Sequence, residues 1–139
     1  MSVVYFTDRD LGARFPQILA SAGLTVHRHA DHLPADCSDE EWLQFVGERG
    51  WVALTHDTRI RYKPNELAAV VRHRVALLVV MGKAPFPELA TSFVSTARRI
   101  EKFLERHVPP LIAKVYRPTP AKIKRNPKAP GRVELWYSK

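Results

Sequence analysis

The sequence predicts an α/β domain with a mostly parallel sheet and helices on both faces. Three observations carry that expectation. Short apolar runs rich in β-branched and aromatic residues recur along the chain, each too short for a free-standing helix. Segments with apolar residues at helical spacing alternate with them, an order that calls for parallel strands joined by crossover helices. Finally, two of the apolar runs lead into an aspartate: 2–7 into Asp8 and 51–56 into Asp57. If those strands lie parallel, both carboxylates emerge at the strands' C-terminal edge, where open α/β sheets build their sites.

After the first strand, Phe15, Ile18, Leu19 and Ala22 fall at helical spacing over 11–22, and Gly23 stands in the place of a left-handed cap. Pro16 belongs in the first turn of that helix, or else the helix starts later. Residues 24–27 read as a second strand, followed by a polar loop through His32 and Cys37. Ser38 with Glu41 three residues on is a capping box, opening a helix that buries Trp42, Phe45 and Val46 and stops at Gly50. The strand 51–55 follows, then a loop through Arg59, Arg61 and Lys63. Pro64 opens a helix with Leu67, Val70 and Val71 on one face. The run 75–80 is a fully buried strand. Pro85 and Pro87 open a long helix reaching about His107, which Pro109-Pro110 stops. Residues 111–116 and 133–137 read as two strands that can pair as an antiparallel hairpin across a long Pro- and Lys-rich loop.

With 139 residues, the chain is long enough to bury roughly 68% of its unfolded surface without staples. One cysteine, Cys37, excludes an internal disulfide framework and suits a reducing cytoplasm. The N-terminal residues lack the pattern of a signal peptide, and the longest apolar run, 75–81, is far short of the roughly 20 residues a membrane helix needs. A cytoplasmic protein without a membrane partner is expected. The net charge of +8 fits a nucleic-acid partner. The stretch 117–132 carries Arg117, Lys122, Lys124, Arg125, Lys128 and Arg132 with no acid. A solvated basic tail would have the same composition.

Two converging carboxylates suggest a divalent metal such as Mg²⁺ or Mn²⁺, which takes hard oxygen ligands and leaves positions open for water and phosphate. Asp8 and Asp57 are the first pair of ligands. Asp39, in the first turn of the capped helix, is the natural third, and Glu66 near the start of the next helix a fourth. Asp8 also stands where it would cap the helix after it, and Asp39 and Glu40 where they would offset a helix dipole. Asp10 can cap the first helix as easily as join the site, and the cap is the favoured reading. Thr55 lies two residues before Asp57, so its hydroxyl should share a face with that carboxylate and meet a phosphate or a water. Arg59, Arg61 and Lys63 suit phosphate contacts, as do Lys122, Lys124 and Arg125.

The segments 6–12 (Phe6-Thr7-Asp8-Arg9-Asp10-Leu11-Gly12), 38–43 (Ser38-Asp39-Glu40-Glu41-Trp42-Leu43) and 54–57 (Leu54-Thr55-His56-Asp57) together resemble the PIN-like ribonuclease domain, closest to the compact VapC-type toxins of bacterial toxin–antitoxin pairs. The resemblance runs over about 2–106. It implies a three-layer PIN-like α/β sandwich over 1–108, with 109–139 as a basic C-terminal extension packing on or extending from the same domain. It also implies an acidic cluster of Asp8, Asp39 and Asp57 with Thr55, Mg²⁺ or Mn²⁺ as cofactor and single-stranded RNA as substrate. An antitoxin protein is the implied partner, and a homodimer is compatible with it. The acids would hold the ion that acidifies the attacking water, and basic residues would stabilise the charge gathering at phosphorus. One departure is that Arg59 occupies the place where many relatives carry a further aspartate. Glu66 can substitute, the site can run on three acids, or the chain is an inactive RNA-binding module on the same fold.

Two rival constellations remain. His27, His29, His32 and Cys37 carry zinc-binding chemistry, His27 and His29 sharing one strand face, but their spacing matches no zinc module. Trp136 and Tyr137 can stack bases beside a basic loop, or simply pack a terminal strand. A receiver-like phosphate-handling domain is disfavoured because no strand ends in a suitably placed lysine.

Overall fold

The computed structural model describes residues 2–139. Six strands form one sheet in the order β2-β1-β3-β4-β5-β6. They are β1 (Val4–Thr7), β2 (Thr25–Arg28), β3 (Val52–Thr55), β4 (Ala76–Val80), β5 (Leu111–Tyr116) and β6 (Arg132–Ser138). The first five are parallel, and β6 returns antiparallel to β5. The chain steps outward from β1 to β2, then crosses back to place β3 on the other side of β1. That reversal creates a switch point between β1 and β3, where neighbouring loops diverge and leave a crevice.

Helices cover both faces, and the alternation of side chains along each strand decides which core each residue joins. Tyr5, Leu54, Leu78 and Ala113 face α1 (Arg14–Ser21) and the long α5 (Phe86–Arg106), burying Phe15, Leu19, Leu89 and Phe93 against them. Phe6, Ala53, Leu77 and Ile112 face α3 (Asp39–Arg49) and α4 (Pro64–Arg72), which bring in Trp42, Val46 and Val70. The result is the three-layer α/β sandwich that the alternating order predicts. α3 begins with the expected capping box: Ser38 Oγ accepts from the Glu41 N–H while the Glu41 carboxylate accepts from the Ser38 N–H. It ends at Gly50, which takes a left-handed φ of 66°.

Three local expectations need correction. The first helix does not start at residue 11. A 3-10 turn at Arg9–Leu11 comes first, and α1 begins at Arg14, which puts Pro16 in its first turn. The polar loop after β2 contains a short helix, α2 (His29–His32), so His27 and His29 do not share a strand face. Within the basic loop, Thr119 caps a six-residue helix, α6 (Pro120–Arg125), through its hydroxyl, which accepts from the Lys122 N–H.

Residues 109–139 hold β5, α6 and β6, all on the far side of the sheet from β2. Their return is pinned at Gly131. Its N–H donates to the buried Thr96 hydroxyl and its carbonyl accepts from the Arg99 guanidinium, both on α5. A Cβ at Gly131 would overlap the Tyr116 carbonyl. Gly131→Ala is therefore expected to destabilise the fold by about 1–3 kcal/mol, measured by urea denaturation. Unchanged stability would show that this junction yields freely.

Candidate active site

The site forms at the switch point because β1 and β3 are neighbours and end together. The Asp8 N–H donates to the Leu54 carbonyl at 2.9 Å, carrying the pairing one residue beyond β1. Thr55, the last residue of β3, is buried, and its hydroxyl lies between two carboxylates: 3.1 Å from Asp8 Oδ2 and 3.0 Å from Asp10 Oδ2. The same oxygen accepts from the Asp57 N–H at 3.2 Å. One hydroxyl thus connects three acids, which is why a threonine suits the end of β3.

Asp10 is the residue that sequence reasoning misassigned. The 3-10 turn swings it back over the end of β3, where both carboxylate oxygens accept from the His56 N–H at 3.2 and 3.0 Å. It joins the site rather than capping α1. Asp8 does act as a cap, its Oδ1 accepting from the Arg9 N–H at 2.7 Å, while its Oδ2 meets Thr55. The two roles coexist because the carboxylate has two oxygens. Burial pushes the Asp8 carboxyl up to about 6, and the charges of Asp10 and Asp39 add to the effect. Burial also raises the Asp10 carboxyl, partly offset by Thr55 and His56.

Asp57 differs. Burial alone would raise its carboxyl, but Lys63 Nζ, 2.6 Å from Oδ2, and the Arg59 N–H, 2.9 Å from Oδ1, hold it below the ordinary range. Lys63, expected on phosphate, is thus paired with an acid of the site. The Arg59 side chain is exposed, and the residue contributes its backbone N–H to Asp57. Arg61 turns away toward Tyr62 and Trp136.

The remaining acids approach from the helices. Asp39 starts α3 and accepts from the Trp42 indole N–H at 2.9 Å, so it also anchors a core side chain. Glu66, in the first turn of α4, is raised by burial and then by Asp39 beside it. Asp39 and Glu66 line a cleft of about 420 Å³ with Ser38, Asn65 and Arg72. The charge of Asp39 is felt at Asp8 and at Lys63, that of Asp57 at Asp10, and that of Glu66 at Lys63. Asp8, Asp10, Asp39, Asp57 and Glu66 therefore belong to one electrostatic neighbourhood, in which the Lys63 ammonium is paired with Asp57.

Lys122, Lys124 and Arg125 are exposed on α6, which follows β5 and so lies at the same sheet edge as the acids. The four zinc candidates do not converge. His29 is buried and accepts from Arg9 Nε, His27 Nδ1 lies 3.0 Å from His32 Nε2, and the Cys37 thiol donates to the Ser38 carbonyl.

Among the described residues, no three His, Cys, Asp or Glu side chains gather tightly enough to hold a metal by themselves. The donor set nevertheless fits Mg²⁺ or Mn²⁺. Asp8 and Asp10 both lie within hydrogen-bond reach of one oxygen, they are hard donors, and neither pairs with a basic side chain among the ion pairs of the described residues. Mg²⁺ commonly takes one or two carboxylates and keeps several waters.

A family model described as a PIN like domain matches residues 3–82, more than half of the chain. No curated protein and no solved structure matches.

Because the Asp8 carboxyl is raised, its ionisation opposes folding. That cost is absent below about pH 4, grows as pH rises and is complete above about 6. Asp8→Asn should therefore stabilise the metal-free protein near neutral pH by about 1–3 kcal/mol, with the two denaturation curves converging toward about pH 4. A variant that is less stable near neutrality would overturn this account of the cluster.

Proposed function

The chain belongs to the PIN-like domain family, whose members are generally nucleases, and on that premise we propose that it is a metal-dependent endoribonuclease acting on single-stranded RNA. The observation that supports this best is the Asp8–Thr55–Asp10 cluster at the switch point, two carboxylates turned toward one hydroxyl. In this reading Asp8 and Asp10 would hold Mg²⁺ or Mn²⁺, with Asp57, Asp39 and Glu66 adding negative charge nearby. Thr55 fixes the two carboxylates and the Asp57 backbone in one arrangement. A divalent ion supplies Lewis acidity for hydrolysis of the phosphodiester.

Lys63 has a defined part in this scheme. Its ammonium is paired with Asp57 at 2.6 Å. Were a divalent ion bound, Asp57 would be among the carboxylates available to hold it, and the Lys63 ammonium beside it would stabilise negative charge developing on the phosphate. Arg59, Arg61, Lys122, Lys124 and Arg125 supply backbone contacts along the same edge. The biological role we assign is the toxin of a type II toxin–antitoxin pair, with a small antitoxin protein as partner and a homodimer as the compatible assembly. The cytoplasm is the setting that suits it. No helix among the described residues is long and apolar enough to cross a membrane.

A second reading is an inactive RNA-binding module. It is favoured by the Lys63–Asp57 pair, which places a cation of the protein where a catalytic ion would need a ligand, and by Arg59 in place of an acid.

The deciding experiment is cleavage of a labelled RNA pool with Mg²⁺, with Mn²⁺ and with EDTA. Asp8→Asn and Asp57→Asn should each reduce metal-dependent cleavage by at least about a hundredfold. RNA that is bound yet uncut under all conditions favours the second reading. Mn²⁺ at about 100 times its dissociation constant should also stabilise the wild type by about 2.7 kcal/mol and stabilise Asp8→Asn much less. Equal stabilisation of both would remove Asp8 from the ion's ligands.

A further inference from the structure

Tyr62 ends the 3-10 turn at Ile60–Tyr62 that follows Asp57, and its ring is 68% exposed. It meets Trp136 of β6 edge-on, with centroids 5.6 Å apart and planes at 80°. Trp136 is half-buried at a bulge in the β5–β6 pairing and packs against the α3/α4 core. Two cations flank the pair. Lys114 Nζ lies 4.2 Å from the centroid of the Trp136 ring. The Arg61 guanidinium lies 5.8 Å from the centroids of both rings. Neither cation belongs to the ion pairs of the described residues.

The register ties this surface to the acids. Thr55 pairs with Val79, and Val79 with Lys114, so Thr55 and Lys114 occupy one row on one face of the sheet. Two strand spacings separate them by about 10 Å. An aromatic ring serving only to fill the core would be covered. Here Tyr62 stays open and meets a second aromatic edge-on, with Arg61 near both rings and Lys114 over the Trp136 ring. Glu134, opposite Lys114 in the register, forms its ion pair with Arg132. A flat apolar face between positive charges is the complement of a nucleobase flanked by phosphates.

We propose that Tyr62, supported from beneath by Trp136, is a base-stacking platform for single-stranded nucleic acid, with Arg61 and Lys114 gripping the backbone beside it. This inference rests on the nuclease reading and names where the substrate is held next to the acids. It places the single-stranded preference in the ring, because a base reaches Tyr62 only when unpaired. An acidic protein segment would satisfy the cations and leave the open ring without a role.

The test is anisotropy of a labelled single-stranded oligoribonucleotide and of a matched abasic one, in EDTA so that nothing is cut. Tyr62→Ala should weaken binding of the intact oligonucleotide about tenfold, whereas Tyr62→Phe should hold wild-type affinity. The abasic strand should bind the wild type more weakly and be indifferent to Tyr62→Ala. Lys114→Gln should lower the salt dependence of binding, and Tyr62→Ala should leave that slope unchanged. Because Tyr62 is exposed, circular dichroism and melting of the variants should match the wild type. Equal binding by wild type and Tyr62→Ala, or equal binding of intact and abasic strands, overturns the platform. If RNA is still cut under those outcomes, the nuclease reading stands without it. A wild type that neither binds nor cuts RNA overturns both.

Discussion

The Thr55 hydroxyl is the interaction on which the site depends. A hydroxyl has one proton, yet this one faces Asp8 and Asp10 and also accepts from the Asp57 backbone. Its single proton is shared between the two carboxylates, which both come within reach because β1 lies beside β3, with Thr7 opposite Leu54, and the 3-10 turn after Asp8 returns Asp10 over Thr55. The buried position of Thr55 excludes water as a competing partner, so each hydrogen bond counts for more than it would at the surface. Two like charges fixed side by side are unfavourable, and burial of Asp8 increases the cost. A cation would reverse the sign of that interaction. The site is therefore a place where the fold stores electrostatic strain that a suitable ligand relieves.

The rest of the architecture supports that arrangement. Crossing from β2 back past β1 creates the crevice, and the capped start of α3 brings Asp39 to it. The αL residue Gly50 turns the chain directly into β3, so Thr55 arrives at the right height. On the opposite wall, Pro64 starts α4 and sets Glu66 beside Asp39. Lys63, immediately before that proline, pairs with Asp57. Each of these placements follows from a short local signal acting on a sheet whose order is set by the apolar strands.

Most of the sheet was legible because strands and helices each carry a strong local period. The runs ending at Asp8 and Asp57, the capping box at Ser38 and the Pro-led helices correspond to β1, β3, α3, α4 and α5. What could not be read depended on tertiary direction. Asp10 looks like a cap by position alone; only the tight 3-10 turn sends it back to β3. Its spacing from Asp8 did carry a signal, since two acids just past a strand end are one more than a cap needs. α6 was hidden because its six residues, half of them basic, bury no side chain and so form no apolar face. Lys63 looked free because the sequence does not say that its side chain points back at Asp57. Tyr62 was overlooked between two basic residues, with nothing nearby in sequence to indicate Trp136 as its neighbour.

The antiparallel return of β6 also separates two kinds of change that the molecule can undergo. The acids occupy positions 8–66, inside the stretch 3–82 that matches the family. Lys114 and Trp136 lie outside it, on strands added at the far side of the sheet. β4 stands between these strands and β3, so the outer hairpin does not pair with the strands that carry Asp8 and Thr55. The outer hairpin can therefore drift in sequence while the crevice keeps its shape. If the Tyr62–Trp136 platform holds the substrate, a lineage built on this plan could exchange one target for another by rewriting its last strand while the crevice stayed as it was.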